Sequence, residues 1–261
     1  MSETTLVRYE VADGVSIVSL NRPERHNALN DEAAAAMWEA IDRGLADPES
    51  RVLLLRGEGK SFCSGRDTQA LGVRATGLSD FQHLTRSQAR KFRLLESRKP
   101  AIAAVRGYAL GGGFELALQC DIRIAATDAR LSLPEINYGI LTDGGGSSIV
   151  ASLAGPSRAK YLLMSGEPIG AQQALDWGLV DFVTTPEELD AYALALAKKL
   201  AGKPPVHLAA AKYLVDGVFG ERVRRGLHDE LMVQTALFKT EDYQEARAAR
   251  REKREPNYNG R

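Results

Sequence analysis

Residues 99–116 read Lys99-Pro100-Ala101-Ile102-Ala103-Ala104-Val105-Arg106-Gly107-Tyr108-Ala109-Leu110-Gly111-Gly112-Gly113-Phe114-Glu115-Leu116. The run 101–105 is short, apolar and bounded by Pro100 and Arg106, and it reads as a buried strand. Three glycines then lead straight into a helix-compatible run, Phe114-Glu115-Leu116-Ala117. Glycine allows close backbone approach, and the start of the run leaves N–H groups beside an acidic side chain. Such an end favours an anion or a developing negative charge.

Strand and helix alternate on both sides of this stretch. Residues 14–20, 52–55 and 121–125 are further strand-like runs. Asn30 can cap a helix over 31–46, and Phe81, Leu84, Phe92 and Leu95 lie mostly at helical spacing across 79–97. Buried strands joined by crossover helices make an α/β architecture. From about residue 144 helices dominate, with expected spans 147–153, 156–164, 170–176, 187–201 and 206–217, and one or two long helices over 219–254. Thr185-Pro186-Glu187-Glu188 carries a helix start: Thr185 as cap, Pro186 at the first helical position and Glu188 completing a capping box. No low-complexity linker or repeat interrupts the chain. Residues 1–200 are expected to form an α/β core holding the site, and residues 201–261 a helical C-terminal region.

At 261 residues with 44% hydrophobic and 26% charged side chains, the chain is long enough to bury a sizeable core. Its 34 basic and 34 acidic residues cancel, so no global field favours nucleic acid or an anionic membrane surface. Any anion site must be local. Cys63 and Cys120 are too few for a disulfide framework and have no zinc-type spacing, which points to a reducing compartment. A basic leader followed by an apolar run is absent, as is any stretch of about 18 apolar residues. The expected location is cytoplasmic, with no membrane partner.

Two glycine clusters, Gly111-Gly112-Gly113 and Gly144-Gly145-Gly146, match neither GxGxxG nor a Walker loop. Tight turns are one reading of them. The other starts from Phe62-Cys63-Ser64-Gly65-Arg66-Asp67, a second turn that follows the buried strand 52–55. One N–H from each turn could converge on a carbonyl oxygen and stabilise the charge that develops there. Among the acids, Glu115 follows three glycines in an apolar setting and Glu135 follows Leu131-Ser132-Leu133-Pro134. Desolvation there would raise both carboxyl pKa values, which suits acid/base work near neutrality. Capping or salt bridging is the structural alternative for each.

These residues resemble the enoyl-CoA hydratase/isomerase, or crotonase, superfamily. Asn21-Arg22-Pro23-Glu24 with Asn27-Ala28-Leu29 is similar to the end of its first strand. Phe62–Asp67 resembles its first oxyanion turn, and 99–116 its signature segment. Cys120-Asp121-Ile122-Arg123-Ile124-Ala125, Pro134-Glu135 and Ala174-Leu175-Asp176-Trp177-Gly178-Leu179-Val180 follow in the family's order, so the match covers most of the chain. The resemblance implies a crotonase (ClpP-like) spiral of ββα units with a helical C-terminal trimerisation region, trimers commonly paired into hexamers, and an acyl-CoA thioester substrate. It implies no metal and no separate cofactor, since coenzyme A is part of the substrate. The backbone N–H groups of Arg66 and Gly112 fall on the oxyanion hole. Glu115 and Glu135 fall on the two acids of family hydratases, where the first activates water and the second exchanges a proton with substrate carbon.

One departure bears on the reaction. Asp143, in Gly139-Ile140-Leu141-Thr142-Asp143-Gly144, is a third candidate acid, at a spacing similar to that in dienoyl-CoA isomerases, although those carry Asp where this chain has Glu115. Asp143 also reads as a cap for the helix starting near Gly145. For coenzyme A the resemblance points to Arg25, to the backbone around Ser64, Arg66, Asp67 and Gly112, and to Phe238 and Lys253. Arg250 stands where relatives often have an aromatic residue. His26, His83, His207 and His228 show no ligand spacing. Residues 68–98 are expected to cover the acyl tail, with Leu71, Val73, Leu78, Phe81 and Leu84 as apolar candidates. The leading expectation is hydration of a 2-enoyl-CoA, and the nearest rival is double-bond isomerisation by Glu135 with Asp143. A non-catalytic or RNA-binding homologue is a further class, supported only by the basic stretch 222–254.

Overall fold

The computed structural model describes residues 5–68 and 77–261. Leu71 and Val73, named above for the acyl tail, lie outside these described residues. Strands β1 (Val7–Ala12), β2 (Val15–Leu20), β3 (Val52–Gly57), β4 (Ala101–Val105), β6 (Ile122–Ala126) and β9 (Phe182–Thr184) form one sheet in the order β1-β2-β3-β4-β6-β9. Only the β1–β2 pair is antiparallel. A smaller sheet holds β5 (Tyr108–Leu110), β7 (Arg130–Ser132) and β8 (Ile169–Gly170) in the order β5-β7-β8.

The chain alternates between the sheets and then enters a helix. β4 leads to β5 and to α3 (Gly112–Leu118), and β6 leads to β7 and on to α4 (Gly146–Ala154). After β3, Cys63 forms a parallel bridge with Ala109 of β5, and α2 (Asp80–Glu96) follows. Each turn of this ββα spiral therefore ends at the same side of the small sheet, and that shared side brings the loops after residues 63 and 110 together.

Alternation along the strands gives the large sheet two covered faces. Val15, Ile17, Val52, Leu54, Ile102, Ala104, Ile124 and Ala126 pack against Leu189, Ala193, Ala197 and Ala201 of α7 (Leu189–Ala201). The i,i+4 alanines let that helix approach the sheet closely. Val18, Leu20, Leu53, Leu55, Ala101, Ala103 and Val105 join the main core with Met37, Trp38 and Ile41 of α1 (Asp31–Ala46). Asn30 caps α1 as its position predicts, accepting from the Ala33 N–H at 2.8 Å.

The second half is helical, with α5 (Pro156–Ser165), α6 (Ala171–Asp176), α8 (Pro205–Leu237) and α9 (Glu241–Glu252) completing the set of described α-helices. Two expectations are corrected. The break expected near residue 218 is absent: α8 runs on through Gly217 and Gly220, because Val223, Leu227, Glu230, Leu231 and Gln234 bury one face beyond it. The chain breaks instead at 238–240, where Thr240 caps α9. Thr185 and Glu188 make their reciprocal hydrogen bonds, yet α7 begins only at Leu189, so the box closes a turn ahead of the helix.

Candidate active site

α3 is only seven residues long and opens on Gly112, whose N–H has no carbonyl to meet inside the helix. The preceding turn lies against the turn at Gly65: a β-carbon on Gly65 would sit 2.5 Å from the Leu110 oxygen and 3.5 Å from the Gly112 nitrogen. Leu110 donates to the Cys63 carbonyl at 3.0 Å and Cys63 to that of Tyr108 at 2.9 Å, which locks the two segments in register. Arg66 and Gly112 are thus carried by adjacent turns. Arg66 also bridges to Leu29 and places its guanidinium 2.6 Å from Asp31 Oδ1 on α1.

Both turns open on a cavity of about 1210 Å³. Glu115, Glu135 and Asp143 line it together with Arg66 and Gly112. Glu115 is 1% exposed, and its Oε1 accepts from the Gly144 N–H at 2.7 Å and the Gly146 N–H at 3.1 Å. Burial pushes this carboxyl up to about 8, with the Asp143 and Glu230 charges adding to the rise; Lys91 and the Gly144 N–H oppose it. Glu135 sits in a short 3-10 turn, Pro134–Tyr138. The residue is only partly buried, but its Oε2 is inaccessible and makes no hydrogen bond among the described residues. Burial first, then the Glu115 charge, holds the Glu135 carboxyl well above its ordinary range.

The glycines around these acids are spacers. A β-carbon at Gly111 would come within 2.6 Å of Glu135 Oε1, one at Gly144 within 2.7 Å of Glu115 Oε2, and one at Gly146 within 3.0 Å of Glu115 Oε1. Gly112 differs, with nothing within 4 Å of its added β-carbon.

Asp143 does not cap α4, since Gly145 holds that position without a side-chain bond. It pairs instead with Lys91 of α2 at 2.5 Å. The α4 N-terminus is filled from a distance by Glu230 of α8. That carboxylate accepts from Thr142 Oγ1 (2.9 Å), the Gly145 N–H (2.7 Å), the Ser147 N–H (2.9 Å) and the Ser147 hydroxyl (2.5 Å). A negative side chain there meets both free N–H groups and the positive end of the helix.

Of the residues expected to meet coenzyme A, Phe238 lines the cavity, packed against Tyr243 with ring centroids 5.1 Å apart. Arg25, Ser64, Asp67 and Lys253 are not among the described residues lining it. Arg25 is exposed beside Ser64, whose N–H bonds the His26 carbonyl at 2.9 Å. Asp67 pairs with Arg22 at 3.4 Å, and Lys253 is exposed at the end of α9 in a left-handed conformation. Arg86, Arg90, Arg247, Arg250 and Arg251 add basic groups to the wall, and Arg250 stacks over Tyr138 at 4.4 Å. Among the described residues no cluster of three or more His, Cys, Asp or Glu could hold a metal ion, and no helix is long and apolar enough to cross a membrane.

Lys91, Gln88, Gln119 and Glu230 were not anticipated. Gln88 and Lys91 stand four and seven residues after the buried Leu84 on α2, so polar side chains on the apolar stripe were the available signal. Glu230 carries the same signal on α8 between Leu227 and Leu231.

A family model described as enoyl-CoA hydratase/isomerase matches residues 10–261. The chain is 37% identical over 263 residues to the 2,3-dehydroadipyl-CoA hydratase of Escherichia coli K12, all of both chains being covered. It is 35% identical to the 1,2-epoxyphenylacetyl-CoA isomerase of the same organism, over 96% of this chain and 97% of that one. The crystal structure of an enoyl-CoA hydratase/isomerase from Pseudoalteromonas atlantica T6c superposes with a TM-score of 0.88 at 28% identity, covering 98% of this chain and 100% of the other. A spiral of ββα turns, a helical C-terminal region and a family match across nearly the whole sequence lead to one conclusion: the chain belongs to the enoyl-CoA hydratase/isomerase family and has the crotonase fold.

Proposed function

We propose that this chain adds water across the double bond of a 2-enoyl-CoA to give the 3-hydroxyacyl-CoA. The observation that carries this reading is the pairing of a buried glutamate, Glu115, and a partly buried one, Glu135, of unlike surroundings in one cavity with Gly112. Burial raises both carboxyls, but Glu115 accepts two backbone N–H bonds, which oppose that rise and favour its carboxylate, whereas Glu135 Oε2 is inaccessible with no hydrogen-bond partner among the described residues, which favours the protonated acid. One base and one acid follow from two identical side chains.

In this scheme the N–H groups of Arg66 and Gly112 draw electron density onto the thioester oxygen, so the β-carbon becomes electrophilic. Glu115 takes a proton from water as its oxygen bonds to the β-carbon. The displaced π electrons form an enolate held by the same N–H pair, and Glu135 protonates the α-carbon. The net change is one added water, with no metal or separate cofactor; coenzyme A enters with the substrate. The names of relatives, a 2,3-dehydroadipyl-CoA hydratase among them, support the acyl-CoA substrate class. We further propose a trimer, or a hexamer of two trimers, supported by Val206, Tyr213, Leu214, Val215 and Val218 exposed along α8.

The test is the absorbance of the conjugated enoyl thioester with crotonyl-CoA and a longer 2-enoyl-CoA, for wild type, Glu115→Gln and Glu135→Gln. Loss of absorbance that either substitution abolishes supports hydration. The second reading, isomerisation by Glu135 with Asp143, draws on the presence of Asp143 in the cavity wall and on the isomerase relative. A wild type inert on 2-enoyl chains but active on a 3-enoyl or dienoyl bond selects it.

A further inference from the structure

Asp143 is the third acid of the cavity, and two side chains of α2 hold it. Lys91 Nζ lies 2.5 Å from Asp143 Oδ1. One turn earlier, Gln88 Nε2 donates to the Asp143 carbonyl at 3.1 Å and to the Leu227 carbonyl at 2.7 Å. The next residue, Gly144, donates its N–H to Glu115. A single peptide unit therefore joins the grip of α2 to the carboxylate of α3, while Gln119 steadies the other side of Gly144 through its carbonyl at 2.8 Å.

Lys91 also stands in a field of carboxyl groups. Asp143 faces it from the loop, Glu115 from α3 and Glu230 from α8, and Glu135 of the 3-10 turn feels its charge as well. Burial disfavours the Lys91 ammonium, but the carboxylates outweigh burial and hold it above its ordinary range. Its side chain is 13% exposed, so solvent screens this charge little.

We propose that Lys91 is a positioning residue for Glu115: its grip on Asp143 fixes the loop that orients the glutamate, and its ammonium is the shared countercharge of the acid cluster. While that pair is closed, Asp143 serves the site as a tether and not as a proton carrier. The inference rests on the reading of Glu115 as the base, so its test has a readout independent of turnover.

The experiment is a carbon-13 NMR titration of the protein labelled at glutamate carboxyl carbons, with the Glu115 signal identified by its absence in Glu115→Gln. Lys91→Met is expected to raise the Glu115 midpoint by roughly one pH unit or more, the scale set by losing a nearby opposite charge. Lys91→Arg keeps the charge and should stay near wild type. Asp143→Asn removes a repelling neighbour and should lower the midpoint, and the double substitution should return it toward wild type. A folded Lys91→Met or Asp143→Asn protein with an unmoved midpoint overturns the proposal, as does a double variant that keeps the full rise. A wild type inert on every enoyl-CoA would sink the hydratase reading, and the titration would still decide the role of Lys91.

Discussion

The Gly144 N–H lies 2.7 Å from Glu115 Oε1, and a β-carbon on the same glycine would lie 2.7 Å from Oε2. One residue thus supplies the hydrogen bond that orients the carboxylate and the empty space that the carboxylate fills. Gly144→Ala is expected to displace Glu115 and lower turnover by about 100-fold, the order of effect seen for misplacements near 1 Å. Gly112→Ala meets nothing within 4 Å, so its melting temperature should equal or slightly exceed wild type while its methyl group enters the cavity. Thermal melts and turnover measured side by side separate the two cases.

Removing either glutamate should act on the chemical step. Glu115→Gln and Glu135→Gln keep the shape of the side chain and lose its proton chemistry, so kcat should fall by roughly 10²- to 10⁴-fold with KM little changed. Steady-state kinetics on a 2-enoyl-CoA would show this; a fall confined to KM would assign both residues to binding alone.

The raised pKa of Glu115 ties stability to pH with a definite sign. Its folded value is about 8, above its ordinary carboxyl value near 4.5, so the folded state holds the proton more tightly. Stability from this group is complete below the ordinary value and is lost as pH climbs toward 8. Glu115→Gln lacks that loss. Its melting temperature relative to wild type should therefore rise between pH 5 and pH 8, and a constant difference would contradict the burial argument.

Glu230 holds the loop that holds Glu115. In Glu230→Ala the Thr142 hydroxyl and the Gly145 and Ser147 N–H groups lose their acceptor, at a cost of about 1–3 kcal/mol. Hydrogen exchange at Gly145 and Ser147 should accelerate ahead of exchange in β4, and turnover should fall with it. Uniform acceleration across the protein would mean a general loss of stability instead.

Much of this was legible where the signal is local. β4, the glycine triplet and Glu115 lie within one stretch of 18 residues, and their order alone predicts strand, turn and helix. β1 was missed because it is a half-exposed edge strand carrying Tyr9 and Glu10, and its antiparallel partner is β2. β5, β7, β8 and β9 are two or three residues long, too short for any periodicity to declare itself. The continuation of α8 past Gly220 depends on the face it buries, which local propensity does not contain. Lys91 and Glu230 escaped notice for a related reason. A charged residue on a helix usually meets water, and only the surrounding apolar stripe marks Glu230 as buried and Lys91 as largely so.

In the proposed reaction the turns at Arg66 and Gly112 would act through main-chain N–H groups, whereas the groups that would move protons are all side chains. A codon change can convert Glu115, Glu135 or Asp143 into another residue without removing either amide. Activation of a thioester, on the proposed reading, would in that sense be heritable independently of what is done with it, and a lineage could change its reaction by trading acids while the spiral beneath them stays as it is.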